Sequence, residues 1–124
     1  MKIIATKNAP EAIGPYSQAV VVGGLVYTSG QIALDPKSGE MAKGGVEAEA
    51  VQVFTNLKNL LEASGSSLEK VVKTTLFLAN MDDFATVNQI YAQFFGLHKP
   101  ARSTVAVKTL PKNALVECEA VATI

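Results

Sequence analysis

Residues 18–29 read QAVVVGGLVYTS, two short β-rich runs separated by a pair of glycines. A glycine pair between such runs is typical of a tight two-residue turn, so the sequence predicts an antiparallel hairpin. In this register Gln18 faces Ser29. Because side chains alternate between the two faces of a strand, one face at the open end of the hairpin should collect four side chains. They are Tyr16, Gln18, Ser29 and Gln31.

Two segments further along the chain have the periodicity of amphipathic helices. Between residues 46 and 63 the apolar positions fit one helical stripe, formed by Ala50, Val53, Phe54, Leu57, Leu60 and Leu61. A second helix is predicted to begin after Asp82 or Asp83, either of which can cap it, and to end at Gly96. Its predicted buried stripe is Phe84, Val87, Tyr91 and Phe94. Residues 71–79, between the helices, are predicted to form a strand that is covered on both faces.

The last third of the chain is predicted to hold two strands, residues 102–107 and 116–122, joined by a loop. If they pair as an antiparallel hairpin, four polar side chains share the face opposite to Cys118, namely Arg102, Thr104, Glu117 and Glu119. Helices that alternate with strands predict an α+β fold with the helices on one face of the sheet. A second subunit is the simplest cover for the other face.

Length and composition limit the classes of function. A chain of 124 residues is expected to form a single domain over residues 1–124. Its formal net charge of zero argues against nucleic-acid binding, which usually needs a cationic excess. No stretch approaches the roughly 18 apolar residues of a membrane span, so no membrane partner is expected. The single cysteine, Cys118, cannot form an internal disulfide, which favours a reducing, cytoplasmic location.

The scarcity of histidine and cysteine also limits the chemistry. With His98 as the only histidine, two histidines of one chain cannot bind a metal ion, and no metal site is predicted. A nucleophilic cysteine–histidine pair would require Cys118 to meet His98, and nothing in the sequence indicates that they do. An enzyme of this sequence would therefore work with carboxylate, guanidinium, hydroxyl and backbone groups.

Seven short segments match, in chain order, the motifs of one family. They are GPYSQA (14–19), TSGQI (28–32), NMDDF (80–84), NQIY (88–91), PARSTV (100–105), LP (110–111) and VECEA (116–120). This set spans essentially the whole chain and resembles the reactive-intermediate deaminase family of the RidA/YjgF type. The resemblance implies a chorismate-mutase-like α+β fold, with two helices on one face of a mixed sheet. It also implies a homotrimer with clefts between its subunits.

The same resemblance implies an activity and assigns roles by position. Members hydrolyse reactive 2-imino and enamine acids, such as 2-aminoacrylate and 2-aminocrotonate, to 2-oxo acids and ammonia without a cofactor. Arg102 matches the arginine that holds the substrate carboxylate, and Glu117 matches the glutamate that handles water and protons. The positions that match cleft-lining residues are Tyr16, Ser29, Gly30, Asn88 and Thr104. Many members carry a cysteine where this chain has Thr104, which we expect to tune shape and hydrogen bonding.

Several alternatives stay open at this point. Arginine and glutamate on facing strands more often form a structural ion pair than a catalytic site, although the ordered motifs outweigh this for Arg102. Glu119 shares the predicted face of Glu117 and could exchange roles with it. If Arg102 lies beside Glu117, its charge should keep that carboxylate ionised. A sensor of 2-oxo acids that acts through a protein partner would also need the arginine, but it would need no proton-transfer group. Ribonuclease activity is a distant third, given the zero net charge and the single histidine.

Overall fold

A six-stranded mixed sheet carries two helices on one face in the computed structural model, which describes residues 1–124. The strands are β1 (Lys2–Ile4), β2 (Ala19–Val22), β3 (Leu25–Thr28), β4 (Val71–Leu78), β5 (Ala101–Ala106) and β6 (Val116–Thr123). The helices are α1 (Gly45–Ala63) and α2 (Phe84–Phe95). Across the sheet the order is β1-β2-β3-β6-β4-β5, and only β4 and β5 run parallel. The predicted α+β class is confirmed.

The predicted hairpin forms in the predicted register. Val22 lies opposite Leu25 across the glycine turn, and the backbone N–H of Ser29 donates to the carbonyl of Gln18 at 2.9 Å. Gly23 and Gly24 have φ angles of 59° and 77°. Residues that carry a side chain rarely adopt this left-handed backbone conformation, so the glycine pair is what allows a turn this tight.

Helix α1 supplies the centre of the core. All six residues of its predicted stripe are fully buried, and Phe54 packs edge-to-face against Tyr91 of α2 with ring centroids 5.5 Å apart. The stripe of α2 is rotated slightly from the prediction, because Ile90 and Phe95 are buried while Phe94 is only half-buried. Asp83 occupies the N-cap position of α2, but its side chain makes no capping hydrogen bond. The side chain of Asn80 accepts from the backbone N–H of Asp82 in the 3₁₀ turn that leads into α2.

The predicted hairpin between residues 102–107 and 116–122 is wrong, because β4 lies between β5 and β6. Thr74 of β4 has Arg102 on one side and Ala120 on the other. Helix α2 connects β4 to β5, and a helical crossover of this kind brings the second strand back parallel to the first. The loop of residues 107–115 then crosses to the other side of β4, and there β6 lies between β4 and β3.

This topology also overturns the predicted common face for Arg102, Thr104, Glu117 and Glu119. Residues paired across a sheet point to the same side. Arg102 therefore points to the helix-covered side, like its partner Thr74, and Thr104 does so with Cys118. Glu117 and Glu119 alternate with buried residues of β6 and point to the other face.

The face opposite the helices is largely uncovered within the chain. It exposes large apolar side chains on four strands: Ile3 (63%), Val22 (46%), Tyr27 (42%) and Val105 (43%). Within the chain β4 is therefore covered on one face only, and not on both faces as predicted. A bulge between Val71 and Lys73 accompanies the burial of Val71 and the exposure of Val72. No helix of the chain is both long and apolar enough to cross a lipid bilayer.

Candidate active site

Arg102 stands at the start of β5, in contact with helix α2. Its Nη1 donates a 2.8 Å hydrogen bond to Oδ1 of Asn88. Its Cζ lies 4.7 Å from the ring centroid of Tyr91 and 5.5 Å from that of Phe84. Asn88 lies four residues after Phe84 and three before Tyr91, so the three side chains share one face of the helix. Together they hold the half-buried guanidinium in place.

The charge of Arg102 is not neutralised within the chain. It is the only arginine, and the single ion pair of the structure joins Lys58 to Glu62. The Asn88 amide is neutral, so it orients the guanidinium without cancelling its charge. A guanidinium has five N–H donors in a planar fork that matches a carboxylate. Arg102 therefore has donors left for an anionic ligand.

The Tyr91 ring packs against the guanidinium of Arg102 and helps to hold it in place. Its hydroxyl lies 2.8 Å from Oγ1 of Thr74, the residue paired with Arg102 across the sheet. Burial raises the pKa of Tyr91, so the ring stays neutral and keeps its electron-rich face toward the cation. From the sequence, Tyr91 is predicted only as a core residue of α2. The spacing of three residues from Asn88 was the signal that could have placed it beside Arg102.

A second group of predicted residues lines a cleft of about 520 Å³, within the usual range for a small-molecule site. Tyr16, Ser29, Gly30 and Glu117 all line it, as do Gln18 and Gln31. The four residues predicted to converge at the open end of the hairpin therefore do meet at one cleft.

Two glutamines of this cleft form contacts that hold the fold together. The Gln18 side chain donates to the carbonyls of Ala9 and Pro10, which fixes the N-terminal segment at the cleft wall. Gln31 pairs with Cys118 after an extra residue in the strand at Ser29 and Gly30, so its side chain points to the helix side. The predicted common face is therefore wrong for Gln31.

Glu117 is one of the ionisable groups that line this cleft. It is half-buried and lies against Gly30, where an added β-carbon would overlap its carboxylate. Burial raises the pKa of Glu117, and the nearby charge of Glu119 raises it further. The expected stabilisation of the ionised form by Arg102 is wrong, because the arginine lies on the opposite face. A carboxyl group with a raised pKa is suited to exchange protons near neutral pH.

The two groups are separate within one chain. From the strand register, the α-carbons of Arg102 and Glu117 are about 14 Å apart in the plane of the sheet, and their side chains point to opposite faces. Asn88 and Thr104 lie on the arginine's side. No three histidine, cysteine, aspartate or glutamate side chains cluster as metal ligands would. The structure thus places a guanidinium that is suited to bind an anion at one position and a carboxyl group that is suited to transfer protons at another.

Comparison with known proteins gives a consistent family. The family model described as Endoribonuclease L-PSP matches residues 6–124. Human 2-iminobutanoate/2-iminopropanoate deaminase is 50% identical over 121 residues, which cover 98% of this chain and 88% of the human protein. The crystal structure of the YjgF gene product from E. coli superposes with a TM-score of 0.94 at 48% identity, covering 99% of this chain and 98% of that one.

A further solved structure contains a small ligand. The crystal structure of E. coli TdcF with bound serine has a TM-score of 0.95 at 43% identity, and it covers 100% of this chain and 99% of that one. The chain therefore belongs to the family described as Endoribonuclease L-PSP, which includes the RidA/YjgF-type reactive-intermediate deaminases that its motifs resemble.

Proposed function

We propose that this protein hydrolyses 2-imino acids and their enamine forms, such as 2-aminoacrylate and 2-aminocrotonate, to 2-oxo acids and ammonia. The observation that carries the proposal is Arg102, a half-buried guanidinium with no carboxylate partner, oriented by Asn88 over the Tyr91 ring. Such a group is suited to bind the carboxylate of the substrate. Serine, the ligand of the TdcF structure, also carries a carboxylate next to a nitrogen-bearing carbon.

The substrate is too small to reach both groups of one chain. We infer that the active site lies between two copies, with Arg102, Asn88 and Thr104 from one and Tyr16, Ser29, Gly30 and Glu117 from the next. The uncovered apolar sheet face supports this, because exposed apolar patches mark interaction surfaces. Three copies related by a threefold axis would form three equivalent clefts, which is the homotrimer that the family resemblance implies.

The reaction requires few catalytic groups. Arg102 binds the carboxylate and places the protonated C=N carbon near Glu117. The ionised carboxylate of Glu117 takes a proton from water while the water oxygen bonds to this carbon, giving a carbinolamine. Glu117 then returns the proton to nitrogen, and the C–N bond breaks as the C=O bond forms. The carboxylate of Glu117 takes the hydroxyl proton that this releases and passes it to the departing ammonia, which leaves as ammonium. The raised pKa of Glu117 makes its carboxylate a stronger base toward the attacking water.

The other cleft residues shape the site around this proton transfer. Gly30 leaves room for the Glu117 carboxylate, and the Ser29 hydroxyl donates to the Ser17 carbonyl, which fixes the strand end. Tyr16 is 54% exposed, so its hydroxyl can reach a ligand. Thr104 adds a small hydroxyl beside the arginine.

We also infer a cytoplasmic location, on the basis of the single unpaired cysteine. The sensor alternative is not favoured, because relatives about 50% identical are named as deaminases.

A competition assay tests the proposal. A dehydratase generates 2-aminocrotonate in the presence of semicarbazide, which traps the imine, and 2-oxobutanoate is measured as the product of hydrolysis. We expect the protein to divert imine from the trap to 2-oxobutanoate in proportion to its concentration. Buffer alone and heat-denatured protein are the controls. A trapped fraction equal to that in buffer would contradict the deaminase proposal.

A further inference from the structure

The loop before β6 contains two consecutive non-glycine residues in the left-handed conformation. Lys112 has φ 56° and ψ 28°, and Asn113 has φ 54°. Asparagine tolerates this region, but lysine rarely occupies it, and glycine would do so without strain. Strained residues of this kind often occur at functional sites. The lysine therefore needs an explanation other than the shape of the turn.

Buried neighbours and backbone hydrogen bonds hold the backbone of the loop at Lys112. Leu110 and Ala114 are buried on either side of the turn. The backbone N–H of Asn113 donates to the carbonyl of Leu110, and that of Ala114 donates to the carbonyl of Pro111, both at 3.1 Å. This turn places Lys112 in the wall of the cleft that contains Glu117.

The charges lining this cleft give Lys112 a role. Besides Lys112, the charged side chains in its wall are the carboxylates of Glu11 and Glu117. Lys112 is thus the only cation that a single chain places in the wall of this cleft, and without it that wall would carry only the two carboxylates. We propose that Lys112 draws anionic 2-oxo and 2-imino acids into the cleft and offsets the two glutamates. The inference rests on the proposed function and adds a residue that determines selectivity for anionic ligands.

Binding of 2-oxobutanoate, a stable anion, tests this role without requiring catalysis. Its dissociation constant is measured by calorimetry at about 20 mM and about 300 mM ionic strength for wild type, Lys112→Gly, Lys112→Gln and Lys112→Arg. At low salt the glycine and glutamine variants should bind about fivefold more weakly than wild type, and Lys112→Arg should bind normally. At high salt all four should agree closely, because ions screen the attraction.

Two controls separate charge from structure. Lys70→Gln makes the same change in net charge at the far end of β4, where the Lys70 carbonyl lies near Thr123, and it should bind like wild type. Lys112→Gly relieves the left-handed strain, so its Tm should be equal to or higher than that of wild type. Equal affinities and equal salt dependence in wild type and Lys112→Gly would overturn the proposal. So would a wild type that binds no 2-oxobutanoate. A wild type that binds it but hydrolyses no imine would contradict only the proposed function.

Discussion

Replacing Glu117 by glutamine is expected to lower kcat/KM for 2-aminocrotonate hydrolysis by about 100-fold or more, because proton transfer by a positioned side chain contributes at least this much. Glutamine keeps the shape of the side chain beside Gly30 but can neither take a proton from water nor return one. The semicarbazide competition assay measures the loss, and circular dichroism checks that the fold is kept.

Glu119→Gln is the matched control, since both glutamates lie half-buried on the same face of β6. It should retain most of the activity. Because the charge of Glu119 contributes to the raised pKa of Glu117, its removal should move the acidic limb of the pH profile to lower pH. The assignment of the proton-transfer group fails if Glu119→Gln is inactive and Glu117→Gln is active.

The raised pKa of Glu117 also determines the direction in which activity and stability change with pH. Ionised Glu117 is the base, so activity should fall as the pH falls through a pKa above the ordinary value of 4.5. The folded protein favours the neutral carboxyl and loses stability as the pH rises through that pKa. Glu117→Gln should therefore unfold at higher denaturant concentration than wild type at pH 7. This advantage should disappear below pH 4, where the wild-type side chain is also neutral.

Replacing Arg102 by alanine is expected to lower kcat/KM by roughly 100-fold or more, largely through a higher KM. The variant loses two charge-assisted hydrogen bonds to the substrate carboxylate, each of which is among the stronger kinds. Initial rates over a range of imine concentrations separate KM from kcat. An unchanged KM would contradict the role of Arg102 in binding.

Lys is the informative replacement at the same position. Arg102→Lys keeps the positive charge but loses the planar fork that donates to Asn88 and to a carboxylate at the same time. We expect activity between those of wild type and Arg102→Ala. Activity equal to wild type would mean that charge alone matters and that the orientation imposed by Asn88 has no function.

Local sequence patterns predicted the local structure well. The glycine turn of the hairpin and the stripe of α1 depend on residues close in sequence, whose periodicity is visible directly. The pairing of the last strands was wrong for a physical reason. A loop between two β-rich segments suggests a hairpin, but the segment 107–115 instead carries the chain past β4. That choice depends on the long-range packing of α2, which no local pattern encodes.

The sequence predicted which residues belong to the candidate site, but it did not predict how they are arranged in space. Motif positions selected Arg102 and Glu117 as candidates. The wrong strand pairing, however, placed them side by side and gave the wrong sign for the pKa shift of Glu117. Tyr91 was assigned to the core, because an aromatic residue on a helical stripe gives no sign of a cation beside it. The left-handed conformation of Lys112 is likewise a property of the folded loop.

Mixing two variants that are each expected to lose most of their activity tests most directly whether the active site lies between subunits. Arg102→Ala and Glu117→Gln are co-expressed in equal amounts with different tags, and oligomers that carry both tags establish that mixing occurred. If each site takes its arginine from one subunit and its glutamate from the next, random mixing restores intact sites to about a quarter of the total, with activity in proportion. A mixture as inactive as either parent would place both groups in one subunit's site and contradict the account.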